Sequence, residues 1–218
     1  FYSVFYYDSN IKRNCPMLFP KIRSNGGFVM KKSLGVKPYL FPMPVLMIAT
    51  YGEDGIVDVM NMAWGGICEN NMVALNITES HKTAKNIKAK GAFTISIADT
   101  DHLAEADFFG IASGNKMKDK FEKSGLHATK SEHVEAPVVE EFPITLECKV
   151  ATIQTDGGGF RVVGEIVNVL ADEKVLDASG KVNPNKLNAF VFDQFQSGYY
   201  KIGEKVGQAW SDGQKFMK

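Results

Sequence analysis

From residue 45 onward the chain sets short apolar runs between clusters of turn residues, a rhythm of strands more than of long helices. Val45-Leu46-Met47-Ile48-Ala49 follows Pro38, Pro42 and Pro44 and has the length and flanks of a buried strand. Gly52-Glu53-Asp54-Gly55 reads as a turn, and Ile56 to Met62 then pairs back antiparallel, ending in a loop from Asn61 to Gly66. Met72 to Ile77 is a third strand. Ala84, Lys85, Ile87, Lys88 and Ala89 suit a helix with Ser80 as its N-cap and Gly91 at its stop. Ala92 to Ala98 alternates as a half-buried strand does, and Asp99 or Thr100 can cap a second helix running through Leu103, Ala104, Ala106 and Phe108 to Gly110.

A polar stretch, Ser113-Gly114-Asn115-Lys116-Met117, precedes a short amphipathic piece, Asp119 to Lys123, closed by Gly125. This is the natural place for a lid or site rim. Two long strands rich in valine and isoleucine, Ile144 to Thr155 and Phe160 to Leu170, flank a hairpin turn at Asp156 to Gly159. The remainder is less regular, with a turn at Asn183-Pro184-Asn185, a short apolar piece at Phe190-Val191-Phe192, and Tyr199-Tyr200-Lys201-Ile202-Gly203. Strands outnumber helices, arrive as hairpins and lack the strand and helix alternation of a parallel sheet. The expected fold is mainly β, an antiparallel barrel with peripheral helices.

The stretch from Asp58 to Lys90 carries the candidate chemistry. A helix beginning after Ser80 presents amides without internal acceptors, and with the helix dipole these favour an anion; Ser80, Lys82 and Thr83 add two hydroxyls and a positive charge. An ordinary capped surface helix with solvated lysines would read the same way. Upstream, Ala63, Gly65 and Gly66 leave little side chain between the backbone and a flat ligand, and Trp64 is a stacking candidate that could equally be a core residue.

Composition narrows the anion. Lysine plus arginine equals aspartate plus glutamate at 25 each, so no general field draws nucleic acid or a membrane surface, and an anion site must be local. Cys15, Cys68 and Cys148 form no Cys-x-x-Cys pair, and the four histidines lack metal-ligand spacing. Free thiols in a reducing, cytoplasmic setting are the expectation, with Cys68 and Cys148 as small buried hydrophobes. No apolar run approaches a membrane span. Rossmann-type binding is disfavoured because no strand runs into Gly-x-Gly-x-x-Gly, and no Gly-x-Ser-x-Gly elbow occurs. Residues 1–29, which begin at Phe1 and are dense in aromatics, read as an upstream or added extension to one domain over residues 30–218; packing of those aromatics on the domain or on a partner is the alternative.

Four stretches in order, the hairpin into Asn61-Met62-Ala63-Trp64-Gly65, the segment Ser80 to Ile87, Ser113-Gly114 with Asp119-Lys120-Phe121, and Tyr199 to Gly203, resemble the flavin reductase-like, FMN-binding split-barrel family and within it the flavoredoxin group. The resemblance spans about Pro38 to Trp210. It implies a Greek-key split barrel that dimerises with FMN near the subunit interface. Ser80, Lys82 and Thr83 would match phosphate-binding positions, and Asn61, Met62, Ala63, Trp64 and Gly65 the lining of the flavin ring. Ser113 and Gly114 would match a flavin-proximal turn, Lys120 and Phe121 a rim; read without the resemblance, these four are a surface turn and a capped helix with Phe121 buried. The chain departs from many members in having Glu69-Asn70-Asn71 where a proline pair often precedes the third strand.

The function this implies is an FMN-dependent oxidoreductase, with NADH or NADPH as co-substrate or a redox protein as partner. Two other readings stay open: an FMN electron carrier without enzymatic activity, and a split-barrel binding module without flavin.

Overall fold

The computed structural model describes residues 22–24, 27–29, 31–157 and 159–217, with backbone only at 22–24, 27–29 and 156. It divides into two compact units, Phe1–Pro38 and Tyr39–Lys218. In the first, β1 (Ile22–Ser24) and β2 (Gly27–Val29) pair antiparallel with Ile22 opposite Val29. The expectation of an extension over residues 1–29 otherwise lies outside the described residues.

In the second unit the chain runs through β3 (Leu46–Tyr51), β4 (Val57–Met62), β5 (Gly65–Glu69), β6 (Met72–Thr78), helix α1 (Lys82–Lys90) and β7 (Ala92–Ile97). Then come α2 (Leu103–Ile111), α3 (Lys120–Ser124), β8 (Ala128–Lys130), β9 (Pro137–Val139) and the long hairpin β10 (Ile144–Asp156) and β11 (Gly159–Ala171). Helix α4 (Pro184–Leu187), β12 (Phe190–Asp193) and β13 (Gly198–Lys201) follow. Seven strands make one antiparallel sheet in the order β4-β3-β7-β10-β11-β6-β5. After the β5–β6 hairpin the chain passes through α1 and inserts β7 beside β3, the over-and-back connection of a Greek key.

The two edge strands of this sheet, β4 and β5, are consecutive in the chain and separated only by Ala63 and Trp64. A link that short spans at most about 11 Å, so the sheet must curl until its edges are neighbours. They do not pair with each other, so the barrel is split. Packing agrees: a Cβ on Gly65 of β5 would stand 2.7 Å from Leu75 Cδ2 of β6 and 3.0 Å from Leu46 Cδ1 of β3, a strand four places from β6 in the sheet's bonding order.

Alternation along β3 sorts its side chains between two cores. Ile48 joins Met62, Leu75, Phe93, Ile95, Cys148, Phe160 and Val162, with Ala84 and Ile87 of α1. Met47 and Ala49 face the other way, with Val59, Phe109, Phe121, Phe142 and Phe190. Phe93 is fully buried, contributing about 1.5–3 kcal/mol of apolar burial. It has that space because β11 carries Gly164, where a Cβ would come within 2.5 Å of its ring.

Four expectations need correction. Gly65 and Gly66 belong to β5, so the loop read from Asn61 to Gly66 shrinks to Ala63-Trp64; paired glycines hid a strand whose side chains are mostly exposed. Helix α1 begins at Lys82 with His81 as N-cap, so Ser80 lies one residue outside the cap. Asn183 does not make a simple turn but caps α4, accepting from the Asn185 amide at 2.9 Å with Pro184 in the first turn. Of the cysteines, Cys148 is buried as expected while Cys68 is exposed on β5.

Candidate functional site

Asp58 is the anchor of the region. The strand pattern buries it in β4, with 4% of its surface exposed, and a buried carboxylate persists only when paired and hydrogen-bonded. Thr83 Oγ1 donates to Asp58 Oδ2 at 2.7 Å and Lys120 Nζ lies 3.0 Å from Asp58 Oδ1. Thr50 Oγ1 donates to the Asp58 carbonyl at 3.4 Å and itself accepts from Asn86 Nδ2 at 3.0 Å. One carboxylate and its neighbours thus tie β3, β4, α1 and α3 together.

The start of α1 stands beside this knot. His81 makes no side-chain cap, and no acidic residue occupies the first turn. The amides of Lys82, Thr83 and Ala84 therefore begin the helix without a capping acceptor. Burial lowers the pKa of His81, and the Lys120 charge adds to that against the opposing pull of Asp58, so the ring is neutral at neutral pH. Segment 113–117 closes over the same end: Lys85 Nζ donates to Asn115 Oδ1 and Asn115 Nδ2 to the Ser80 carbonyl, each at 2.9 Å. Gly114 sits so close that a Cβ would run into the Asp58 carboxylate and approach Lys82 Cβ to 3.2 Å. Lys82 reaches toward the β3–β4 turn, its Nζ 3.3 Å from where a Gly52 Cβ would be.

The other end of β4 holds the second group of residues. Asn61 Nδ2 donates to the Ala106 carbonyl of α2 at 2.9 Å, so its amide is engaged in docking that helix. Tyr199 lies alongside, its hydroxyl donating to Asp107 Oδ1 at 2.9 Å. Burial, and then that bond, push the Tyr199 pKa up to about 12. Met62 and Ala63 are buried, while Trp64 is 48% exposed and its carbonyl accepts from the Asn76 amide at 2.9 Å.

The structure brings Ser80, Lys82, Thr83, Ser113, Gly114 and Lys120 to one end of β4, and Asn61, Met62, Ala63, Trp64 and Gly65 to the other, about 13 Å along the strand. Within the first group the Thr83 hydroxyl and the Lys120 ammonium are already committed to Asp58. Phe121 is buried, stacked on Phe109 at 6.2 Å and 9°, in the core beneath α2. Sequence reasoning missed Asp58 and Asn115; the available signal was a carboxylate inside the apolar run Val57-Asp58-Val59-Met60. Among the described residues no group of three or more His, Cys, Asp or Glu could hold a metal, and no helix is long and apolar enough to cross a membrane.

An antiparallel sheet curled until its edges meet without pairing, with an uncapped helix start at one end of an edge strand, defines a split-barrel protein. The family model described as the flavin reductase-like domain matches residues 39–193, and the chain belongs to that family. It is similar to the flavoredoxin of Desulfovibrio vulgaris (Miyazaki F), with 36% identity and a TM-score of 0.80 over 84% of this chain and 100% of that one. A flavoredoxin from Methanosarcina acetivorans shares the fold at 22% identity and a TM-score of 0.78, over 86% and 100% of the two chains. An uncharacterized protein of Aquifex aeolicus (strain VF5) is 23% identical over 177 residues, 78% of this chain and 88% of the relative. Family membership supports a flavin-related redox role.

Proposed function

We propose that the chain is an FMN-dependent oxidoreductase that takes hydride from NADH or NADPH, or electrons from a redox protein, and delivers them to an acceptor. The observation that carries this reading is the bare start of α1. Uncapped amides, a first turn free of acids, and Lys82 beside them form a donor set suited to a phosphate. Thr83 contributes through its amide, since its hydroxyl serves Asp58. Ser80, exposed just before the cap, and Ser113 above it are the hydroxyls left at the rim. At the far end of β4 the backbone of Ala63 and Gly65 supplies a wall with little side chain in the way.

When bound, the flavin supplies the redox chemistry; the protein supplies position, electrostatics and exclusion of water. The short Ala63-Trp64 link holds the ring wall between the two sheet edges. Lys82 and the helix amides would hold the phosphate, beside the segment 113–117 that Asn115 fastens to the same helix end. A homodimer with the site near the interface belongs to this reading, supported by the exposed apolar surface of Trp64 and Ile67 on the open edge. The free thiols Cys68 and Cys148 fit a reducing compartment.

The test is titration of the purified protein with FMN, followed by anaerobic stopped-flow mixing with NADH and with NADPH. Binding followed by bleaching of the flavin band is expected. Failure to bind FMN overturns the proposal, and binding without bleaching by either nucleotide replaces the nicotinamide-linked enzyme with an electron carrier.

A further inference from the structure

We propose that Asp58 and Lys120 are a positioning pair for the phosphate end of the site, and that Lys120 acts by fastening segment 113–121 to α1, without touching the phosphate itself. This rests on the FMN reading above and changes the role of one of its residues. The side chains of Lys120 and Asp58 are only 3% and 5% exposed, and the ammonium also lies 6.0 Å from the centre of the Phe109 ring. Such a charge is stable only with its partner: separating a buried pair leaves an uncompensated ion, which costs far more than an exposed pair contributes.

For Lys120 to grip a phosphate it would have to leave Asp58. That would strand a buried carboxylate, with Thr83 as its remaining side-chain donor, next to an incoming dianion. Keeping the pair together presents a neutral unit to the phosphate and leaves the positive charge to Lys82. The same carboxylate meets α1 through Thr83, α3 through Lys120 and the 113–117 segment through the close approach of Gly114. Asp58 therefore sets the position of the helix start relative to the segment that closes over it, and that relative position decides whether the amides and Lys82 converge on one point.

The experiment compares FMN with riboflavin, which lacks the phosphate, by flavin fluorescence titration of the full chain, alongside thermal melting without flavin. In Asp58→Asn the Lys120 ammonium loses its competitor. If Lys120 were a direct ligand, FMN would bind more tightly, and that result overturns the proposal. As a positioning pair, Asp58→Asn and Lys120→Met each weaken FMN by about tenfold or more while riboflavin binding changes by less than about twofold. The double variant loses less than the two singles combined. Equal loss of FMN and riboflavin marks a merely structural pair and overturns the proposal as well. Gly114→Ala keeps both charges and displaces the segment, so it serves where Asp58→Asn fails to fold; FMN affinity is expected to fall about tenfold, and unchanged affinity overturns the proposal. If the unmodified protein binds neither flavin, or both equally, the phosphate reading itself fails, whatever the variants do.

Discussion

Lys82, at the start of α1, makes no ion pair among the described residues, whereas Lys120 is held by Asp58. Replacing Lys82 by alanine is therefore expected to weaken FMN binding by about 1.5–3 kcal/mol, the range of a charge-assisted hydrogen bond, with apo stability little changed. Fluorescence titration measures this, and unchanged affinity would move the phosphate elsewhere. The residue types Ser80, Lys82 and Thr83 raise the proposed anion site from the sequence; the role of Asp58 was not legible there, because its partners come from two other elements far along the chain. A second buried carboxylate makes a separate prediction. Burial pushes the Glu147 pKa up, but hydrogen bonds from Ser131 Oγ, Asn168 Nδ2 at 2.5 Å and His133 Nδ1 at 2.9 Å outweigh it, and the group ends below its ordinary value of 4.5. The folded state thus holds this proton less tightly than the unfolded one. Its stabilisation is present above the ordinary carboxyl range and is lost as pH falls through and below it. Urea midpoints at about pH 7 and about pH 4 should fall more for the unmodified protein than for Glu147→Gln; parallel falls would exclude this linkage.

The long hairpin shows how an element is shaped by what lies across from it. Its strands, β10 and β11, run 13 residues each, and their β-branched content announced them in the sequence. Why β11 interrupts its run with Gly164 was not visible, since the reason is the Phe93 ring on β7. Gly164→Ala is expected to cost about 1–3 kcal/mol by overpacking the barrel interior, read as a lower urea midpoint at unchanged slope. A midpoint equal to the unmodified protein would mean that Phe93 has room to shift. Other elements escaped sequence reasoning for physical reasons. Strands β8 and β9 are three residues each, too short for a period to show. β5 opens on two glycines and buries almost nothing, so it lacks the alternation of a half-buried strand. The start of α1 moved from Ser80 to His81, and the Ser80 carbonyl is taken instead by Asn115 from a distant segment. Gly91 stopped the helix where expected, in the left-handed conformation with its amide bonded to Ile87 at 2.9 Å.

A split barrel distributes stability unevenly. β7 and β10 have bonded neighbours on both sides, whereas β5 is an edge paired only with β6 and exposes most of its side chains. Native-state hydrogen exchange is expected to be slowest in β7 and β10, and faster in β5 and in residues 202–217, which are exposed throughout. Protection of β5 equal to that of β10 in a monomer would mean the barrel is closed after all; protection appearing only with rising protein concentration would place a second subunit on that edge. By itself the sequence determined the antiparallel class, most of the strands, the presence of helix α1 and its stop at Gly91, and the absence of competing nucleotide or nucleophile motifs. Those features depend on periodicity, propensity and residue type, which act over a few neighbouring positions. Only the tertiary structure decided which candidate side chains face one another. Asp58, Thr83, Lys120 and Gly114 meet because the sheet curls and three elements converge on one strand, and burial there turns charged groups toward each other before any ligand arrives.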